Sequence, residues 1–284
     1  MKDQLINWIS VEGENFQFIL FFGLLFVLII LELSIPFRKL NKNKRRRWSA
    51  NYFITLLNVV LLSALPVSFI SVSVIAERNN WGLLNQFYLP FSLIIILSLV
   101  LRGFISFFTH FFMHKIPFLW RLHRVHHLDT EMDVSTTVRF HPAEFVFNVI
   151  IGVPLIIFFG FPPWTLLLYE LLDVAITLLS HSNITLPEKL ERFLHYIIVT
   201  PDLHRVHHSS IQKETDSNFG AVFPVWDVIF STFRTDTTVE QKKMRLGLKE
   251  VRDERTNSVL WLLKSPLINL YEEEKKENIG QNAK

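Results

Sequence analysis

The sequence predicts an all-α fold: a multi-pass membrane helix bundle with a cytosolic helical cap that carries a histidine-rich dimetal site. Two observations support this class. Half of the 284 residues are hydrophobic, with 27 phenylalanines, and much of this apolar mass lies in runs near the roughly 20 residues that a helix needs to cross a bilayer. All eleven histidines lie between His110 and His208, and eight of them form three boxes at the spacing of metal ligands.

Four apolar regions account for the predicted bundle. The first three are single runs, residues 16–31, 52–75 and 87–108, and the fourth spans residues 145–179. The first run ends without a small-residue cleavage site, so we expect a retained membrane helix rather than a removed signal peptide. Gly160, Pro162 and Pro163 interrupt the fourth region. This interruption favours a hairpin of two helices, either two crossings or a re-entrant pair, because proline ends or kinks a helix.

Basic residues predict the orientation of the bundle. Short loops rich in Lys and Arg face the cytosol, and the loop between the first two runs contains Arg38, Lys39, Lys42, Lys44, Arg45, Arg46 and Arg47. If the second and third runs cross the bilayer and the hairpin returns, all three histidine boxes share this cytosolic side. We interpret the basic cluster as a topology signal, with attraction to anionic lipid head groups as the alternative.

The same pattern divides the chain into three parts. Residues 1–100 hold the N-terminal transmembrane helices, and residues 101–234 form the histidine-box domain, which includes the membrane hairpin at 145–179. Residues 235–284 form a hydrophilic C-terminal tail, in which we expect a solvated cap with a short amphipathic helix near Val259 to Leu270.

The composition excludes several classes of site. Because the chain has no cysteine, disulfides, iron–sulfur clusters and cysteine zinc sites are excluded. The glycines form neither a Gly-x-Gly-x-x-Gly pattern nor a phosphate loop, so any electrons must come from a separate protein. The net charge is only +3 and no polar face interleaves basic with aromatic residues, so we expect no nucleic-acid partner.

The three boxes place their imidazoles on shared helix faces, because positions i, i+3 and i+4 lie on one face. The box residues are His110, His114, His123, His126, His127, His204, His207 and His208. One ion takes about four to six protein ligands, so we predict two ions. Imidazole binds zinc, iron, copper and nickel alike, and a closed structural zinc site needs only four ligands. A pair of irons with an open position for dioxygen would suit this surplus of ligands.

The other three histidines are interpreted separately. We expect His181 to be a further ligand, keep His141 as an open candidate, and interpret His195 as a supporting or structural residue.

Three acidic residues are candidates for supporting roles. Asp129 and Asp202 follow or precede boxes, so their carboxylates could hold the distal ring nitrogens of ligating histidines. Asp173 lies inside an apolar stretch, where an ionisable group needs a partner. We expect it to face the bundle interior, toward a histidine or Arg102.

Motifs around the boxes extend the pattern. They are Leu119-Trp120, Arg139-Phe140-His141-Pro142 with Glu144, His181-Ser182-Asn183, Thr200-Pro201-Asp202, Asn218-Phe219-Gly220, Trp226-Asp227 and Phe230-Ser231-Thr232-Phe233. With these motifs, residues 110–233 resemble the fatty acid hydroxylase / sterol desaturase superfamily of integral-membrane di-iron oxygenases. The resemblance implies two Fe ions, with Zn as a substitute in purified protein, held by the eight box histidines and His181. The box histidines would also be the catalytic residues.

The resemblance also implies a reaction and partners. The reaction is hydroxylation or desaturation of an unactivated C–H bond of a lipid, using O2. Electrons would come from a separate donor, a reductase with a b-type cytochrome or a ferredoxin. Many relatives carry an acidic residue, a Tyr and an Arg around the first box, where this chain has Gly103, Phe107 and Phe111. The usual polar supports of that box are therefore missing, and the resemblance leaves the substrate open.

Two other functions remain as alternatives. A membrane metal-ion binding or transport protein would also use histidines, but it would distribute them at the midplane of several helices. An inactive family member kept as a scaffold would also show this fold, although the presence of all eight box residues argues against it.

Overall fold

The computed structural model describes residues 2–39 and 44–272. Lys42 of the basic cluster and residues 273–284 of the predicted tail lie outside the described residues. The described chain is helical without a strand, which confirms the all-α prediction. The α-helices α1 to α12 are Lys2–Ser34, Lys44–Ser63, Phe69–Arg78, Phe91–Lys115, Pro117–His127, Pro142–Phe159, Pro163–His181, Glu188–Leu194, Pro201–His207, Gln212–Thr215, Val225–Ile229 and Val259–Lys264. Short 3-10 helices are Leu83–Gln86, Val134–Val138, Gln241–Lys243, Glu254–Asn257 and Ser265–Leu267.

Four of the described helices are long and apolar enough to cross a membrane. They are residues Gln4–Ser34 of α1, then α4, α6 and α7. At about 1.5 Å of rise per residue, even the shortest, with 18 residues, comes close to the thickness of a bilayer core. The prediction of a multi-pass membrane bundle is confirmed, and the chain is an integral membrane protein.

The second apolar run is not the single helix that its length predicted. It divides into α2, which ends at Ser63, and α3, which begins at Phe69. Pro66 lies in the break, where its missing N–H and fixed ring prevent helix continuation. Ser68 then starts α3 as an N-cap, because its side chain accepts a hydrogen bond from the Ser71 amide.

The two short helices still cover the path expected of one crossing. At the start of α2, Arg47 contacts Asp129 in the loop after α5. At the end of α3, the Arg78 guanidinium donates to the side chain of Asn7, near the start of α1. The pair therefore runs from the histidine end of the bundle to the opposite end.

A tight turn joins α6 to α7 at the end away from the histidines. Gly160 ends α6 with φ +66°, a left-handed conformation that favours glycine. A Cβ on Gly160 would lie 2.5 Å from the carbonyl oxygen of Trp81, so the turn packs closely against the segment after α3. The structure thus divides residues 145–179 into two helices at the glycine and prolines that interrupt the run.

Contacts from α1 and from the C-terminal segment fix the loops around the histidines. The Glu32 carboxylate on α1 accepts hydrogen bonds of 2.7 Å from the amides of Val134 and Asn183. On the outer face of α5, Arg124 donates to the carbonyl oxygens of Ser265 and Ile268. The expected short helix near Val259 is α12, but the described part of the segment packs on α2 and α5 instead of being solvated throughout.

Candidate metal centre

Three helices, α4, α5 and α9, carry the box histidines to one end of the bundle, and α7 adds His181. His110 and His114 lie in the last turns of α4, and α5 follows after a break at Ile116, with Pro117 as its first residue. Proline is favoured at this position because the first amides of a helix have no internal partner. The chain therefore turns between the first two boxes without losing helical spacing within either of them.

The third box starts in the same way. The Thr200 hydroxyl caps α9 and Pro201 is its first residue. His204 and His207 lie on α9, and His208 is its C-cap. His181 is the last residue of α7, so it reaches the centre from a membrane helix.

The nine histidines predicted as ligands form two groups. Within each group one ring nitrogen per residue lies within 4.8 Å of all the others. The first group is His110, His114, His123, His127 and His207, and the second is His126, His181, His204 and His208. Residues from the second and third boxes occur in both groups, so the two sites share their supporting helices.

The spacing of the ring nitrogens fits a metal centre. Nε2 atoms are 3.0 Å apart for His110 and His123, and 2.9 Å apart for His181 and His204. Two nitrogens that bind one ion at about 2.0–2.1 Å are themselves separated by about 3 Å. Both ring nitrogens of His114 and Nε2 of His207 are buried without a hydrogen-bond partner, which a bound cation would provide. The residues present therefore fit two metal ions.

Hydrogen bonds at the distal nitrogens set the tautomers of several rings. The Nδ1 atoms of His110, His181 and His207 lie 2.7 to 2.8 Å from the carbonyl oxygens of Phe219, Thr177 and Ser217. Because a carbonyl oxygen only accepts, each Nδ1 carries the proton. Each Nε2 therefore keeps its lone pair for a metal.

Glu144 performs the same task for His123. Its Oε1 accepts a hydrogen bond of 2.8 Å from His123 Nδ1, and both residues are buried. No role was predicted for Glu144, which lies in the first turn of α6. The available signal was its position two residues after Pro142, in His141-Pro142-Ala143-Glu144.

Asp129 and Asp202 were open candidates for holding the ligating histidines, and each pairs with an arginine instead. Asp129 accepts a hydrogen bond of 2.9 Å from Arg47, and Asp202 one of 2.6 Å from Arg205. Burial raises the pKa of Asp129, but Arg47 and Arg139 outweigh it and hold that pKa below its usual value. The carboxylates therefore brace the loops on either side of the boxes.

Arg47 belongs to the basic cluster that we interpreted as a topology signal, but its side chain binds the loop that follows the second histidine box. It is 4% exposed, and it also donates to Asp133, which is fully buried. The Trp48 indole donates to the same Asp133 carboxylate at 2.8 Å. The start of α2 is thereby tied to the loop after the second box.

His141 and His195 lie outside both groups. His141 caps α6 through its Nδ1, and its Nε2 lies 3.1 Å from the carbonyl oxygen of Leu263. His195 ends α8, with Nε2 3.5 Å from Glu191 Oε1. Glu191 in turn accepts from the amide of Asp202 at the start of α9. His141 therefore has structural contacts, whereas His195 lies with Glu191 and Asp202 in a third group of possible ligand atoms, away from the two histidine groups.

Burial keeps five of the box histidines neutral at physiological pH. Desolvation is the main cause of their lowered pKa values, and the neighbouring imidazoles lower several of them further. Outside the membrane-spanning helices this holds for His126, His127, His204, His207 and His208. Neutral imidazoles bind a cation without first losing a proton.

Aromatic rings occupy the region where relatives carry polar residues. Phe107 is 1% exposed and stacks on Phe230, with ring centroids 5.4 Å apart. The side of Gly103 faces the Trp226 indole nitrogen, which has no hydrogen-bond partner. His110 is held instead by the carbonyl oxygen of Phe219, which accepts a hydrogen bond from His110 Nδ1. The Asp227 carboxylate fixes this segment, because it accepts a hydrogen bond from the amide of Phe219.

A cavity of about 730 Å³ leads from the histidines into the bundle. Five of the nine histidines border one end of this cavity, which we call its histidine end. Its walls come from α1, α2, α3, α4, α6 and α7. Most of the exposed wall area is apolar. Fold and site together define an integral membrane protein with two groups of histidines that could each hold a metal ion, beside an apolar cavity.

Comparison with known proteins finds similarity over about half of the chain. Residues 95–232 match the fatty acid hydroxylase family. An ornithine lipid hydroxylase, OlsE, of Rhizobium tropici is 31% identical over 144 residues, which are 51% of this chain and 43% of the relative. Alkylglycerol monooxygenase of Caenorhabditis elegans is 28% identical over 50% of this chain and 27% of its own length.

Human cholesterol 25-hydroxylase is 26% identical over 50% of this chain and 51% of its own length. No solved structure matches the chain. The chain thus spans about half or less of the length of these curated relatives. The match of residues 95–232 to the fatty acid hydroxylase family agrees with the resemblance that the motifs around the boxes predicted.

Proposed function

We propose that this protein is a membrane-bound di-iron oxygenase that hydroxylates or desaturates an unactivated C–H bond of a lipid. The observation that carries the proposal is the placement of nine histidines, in two metal-sized groups, at one end of a cavity between membrane helices. Relatives named for ornithine lipid, alkylglycerol and cholesterol oxidation agree with a lipid substrate. Their variety leaves the particular lipid open.

Iron fits these residues because their ligand atoms are neutral imidazole nitrogens. One ion would be held by His110, His114, His123, His127 and His207, and the other by His126, His181, His204 and His208. Iron bound there would supply the activation of dioxygen that C–H oxidation requires. Zinc would replace iron during overexpression, since it binds nitrogen sites more tightly than ferrous iron.

The protein's own groups would prepare and protect this chemistry. Glu144 and the backbone carbonyls hold the ring protons on Nδ1, so each ligand keeps one orientation. Buried apolar packing limits water at the histidines, which protects a reactive oxidant from side reactions. The cavity wall would position one carbon of the lipid chain beside the histidines.

A metal-ion transporter is the less supported function. Transport across a bilayer needs ligands near the midplane that pass an ion onward. Here most of the grouped histidines lie on α5 and α9 or in the last turns of α4 and α7, at one end of the bundle. Such a buried, one-ended cluster favours a resident cofactor.

The site is proposed to face the cytosol, where a separate donor would deliver electrons. That donor would be a reductase acting with a b-type cytochrome or a ferredoxin. The proposal for the side rests on the basic cluster between α1 and α2, because such loops stay in the cytosol. Arg47 from this cluster contacts Asp129 beside the second box, so the cluster and the centre share one side.

Lipid analysis tests the proposed function directly. Lipid extracts from cells that express the wild type or His207→Ala are compared by mass spectrometry under isotopically heavy dioxygen. We expect a lipid that gains one heavy oxygen atom, or loses two hydrogens, only with the wild type. Identical lipid profiles from the two strains, with iron-loaded wild-type protein present, would contradict the proposal.

A further inference from the structure

Four buried amide or carboxylate oxygens line the cavity without a donor from the described protein. They are Asn58 Oδ1, Glu144 Oε2, Asn148 Oδ1 and Asp173 Oδ1. The orientation of Asn58 is settled by its other atom, because Nδ2 lies 2.9 Å from the carbonyl oxygen of Phe140, which only accepts. The two carboxylates also offer acceptors when ionised. A ligand in this cavity would therefore have to donate hydrogen bonds to these oxygens, because buried acceptors without a donor are costly.

Asp173 is the deepest of these acceptors. It lies eight positions before His181 on α7, and Arg102 lies eight positions before His110 on α4. At about 1.5 Å per residue, both are about 12 Å from the histidine end of the cavity. This depth places the acidic group beside the chain of a bound lipid, well away from the reacting carbon.

The neighbouring Arg102 leaves Asp173 Oδ1 without a hydrogen-bond donor. Arg102 donates through both Nε and Nη2 to Glu170 Oε1, at 3.1 and 2.9 Å, and it lies over the Tyr169 ring. Arg102 therefore forms its ion pair with Glu170. Two carboxylates and one guanidinium remain in an apolar wall, which favours a ligand with a proton to donate or a positive charge.

We propose that the cavity binds a lipid that presents a hydroxyl or ammonium group to Asp173, about 12 Å from the carbon oxidised at the histidines. The inference rests on the proposed oxygenase function, because it takes the histidine end as the place of reaction. It narrows the substrate from lipids in general to those with a donor at this distance. A plain hydrocarbon chain would leave the Asp173 acceptor buried and unsatisfied.

The test measures binding and does not depend on turnover. Full-length, iron-loaded protein in phosphatidylcholine nanodiscs is titrated with four tritiated probes: hexadecan-1-ol, hexadecan-1-amine, 1-methoxyhexadecane and hexadecanoate. For each probe the dissociation constant of Asp173→Leu is divided by that of the wild type, so partitioning into the lipid cancels. Val174→Ala, the next residue in the same wall, is the matched control.

We expect Asp173→Leu to weaken the alcohol or the amine about tenfold and the methyl ether less than about twofold, because only the first two donate to a carboxylate. The probe that loses more identifies the group as hydroxyl or ammonium. Val174→Ala should change all four probes by one common factor. Equal losses for ether and donors in Asp173→Leu would overturn the proposal.

Wild-type protein alone also decides the question if the leucine variant does not fold. Its affinity for the alcohol or amine must exceed that for the ether, after correction with empty nanodiscs. If hexadecanoate binds tightest, the cavity binds an anion through Arg102. If the wild type binds all four probes with equal affinity, water is the partner of the buried acceptors. Either result refutes the donor proposal. The iron content of the same samples reports separately on the oxygenase function.

Discussion

Replacing Arg47 with methionine should destabilise the protein far more than the same change at Arg46. Arg47 is 4% exposed and contacts two buried carboxylates, Asp129 and Asp133. Methionine keeps the length of the side chain but leaves both carboxylates without their cation. Removing one partner of a buried ion pair costs about 3–5 kcal/mol, because an uncompensated charge remains in the interior.

The neighbouring residue provides a matched control. The Arg46 side chain is 71% exposed and pairs at 3.1 Å with Glu254, itself 54% exposed. An exposed pair contributes about 0–1 kcal/mol. Both substitutions remove one positive charge from the first turn of α2, so any effect on membrane orientation is shared. Their difference isolates the buried network.

Thermal unfolding in detergent, followed by the fluorescence of the seven tryptophans, measures the effect. One kcal/mol shifts the Tm of a chain of this size by about 2–4 °C, so Arg47→Met should melt about 10 °C lower. Arg46→Met should melt within about 3 °C of the wild type. Equal melting temperatures for the two variants would refute the assigned role of the Arg47 network.

Three further predictions concern the ligands, pH and topology. His207→Ala should lose metal and turnover while inserting normally, whereas His195→Ala should keep both; the reverse pattern in metal analysis would disprove the ligand assignment. Metal-free protein should lose stability as pH falls through about 6.5. Histidines of the unfolded chain then bind protons, whereas buried box histidines such as His126 and His207, whose pKa values are lowered in the folded protein, stay neutral. A melting temperature that stays constant from pH 7.5 to 5.5 would contradict this pH dependence. Because the chain lacks cysteine, Lys39→Cys and Lys249→Cys should react with an impermeant maleimide from the cytosolic side and Tyr88→Cys from the other; labelling of all three from one side would contradict the topology.

Local spacing explains why the sequence alone could indicate which histidines come together. His123, His126 and His127 repeat at helical intervals, so their shared face follows from the geometry of a single helix. The supports of the centre depend on the tertiary fold. Glu144 meets His123 only because α6 begins beside α5, and Arg47 meets Asp129 across 82 positions of sequence. No periodicity in the chain signals such pairs.

The break between α2 and α3 shows a different limit. Hydropathy is continuous enough from residue 52 to residue 75 to suggest one membrane helix, and Pro66 was the visible warning. Proline inside a membrane helix is tolerated when neighbours satisfy the freed backbone groups, so its presence alone decides nothing. α6 demonstrates this, since it contains Pro154 without interruption. The feature that marks the break after Pro66 is Ser68, which caps the start of a new helix two residues later.

The number of ions bound per chain tests the central claim most directly. Two groups of five and four histidines predict two ions. The measurement is elemental analysis of purified, folded protein from iron-supplemented cells, with metal quantified against protein by amino-acid analysis. We expect about two equivalents of metal per chain, iron with zinc as its substitute. One equivalent or none, in protein that keeps its wild-type melting profile, would contradict the two-ion centre.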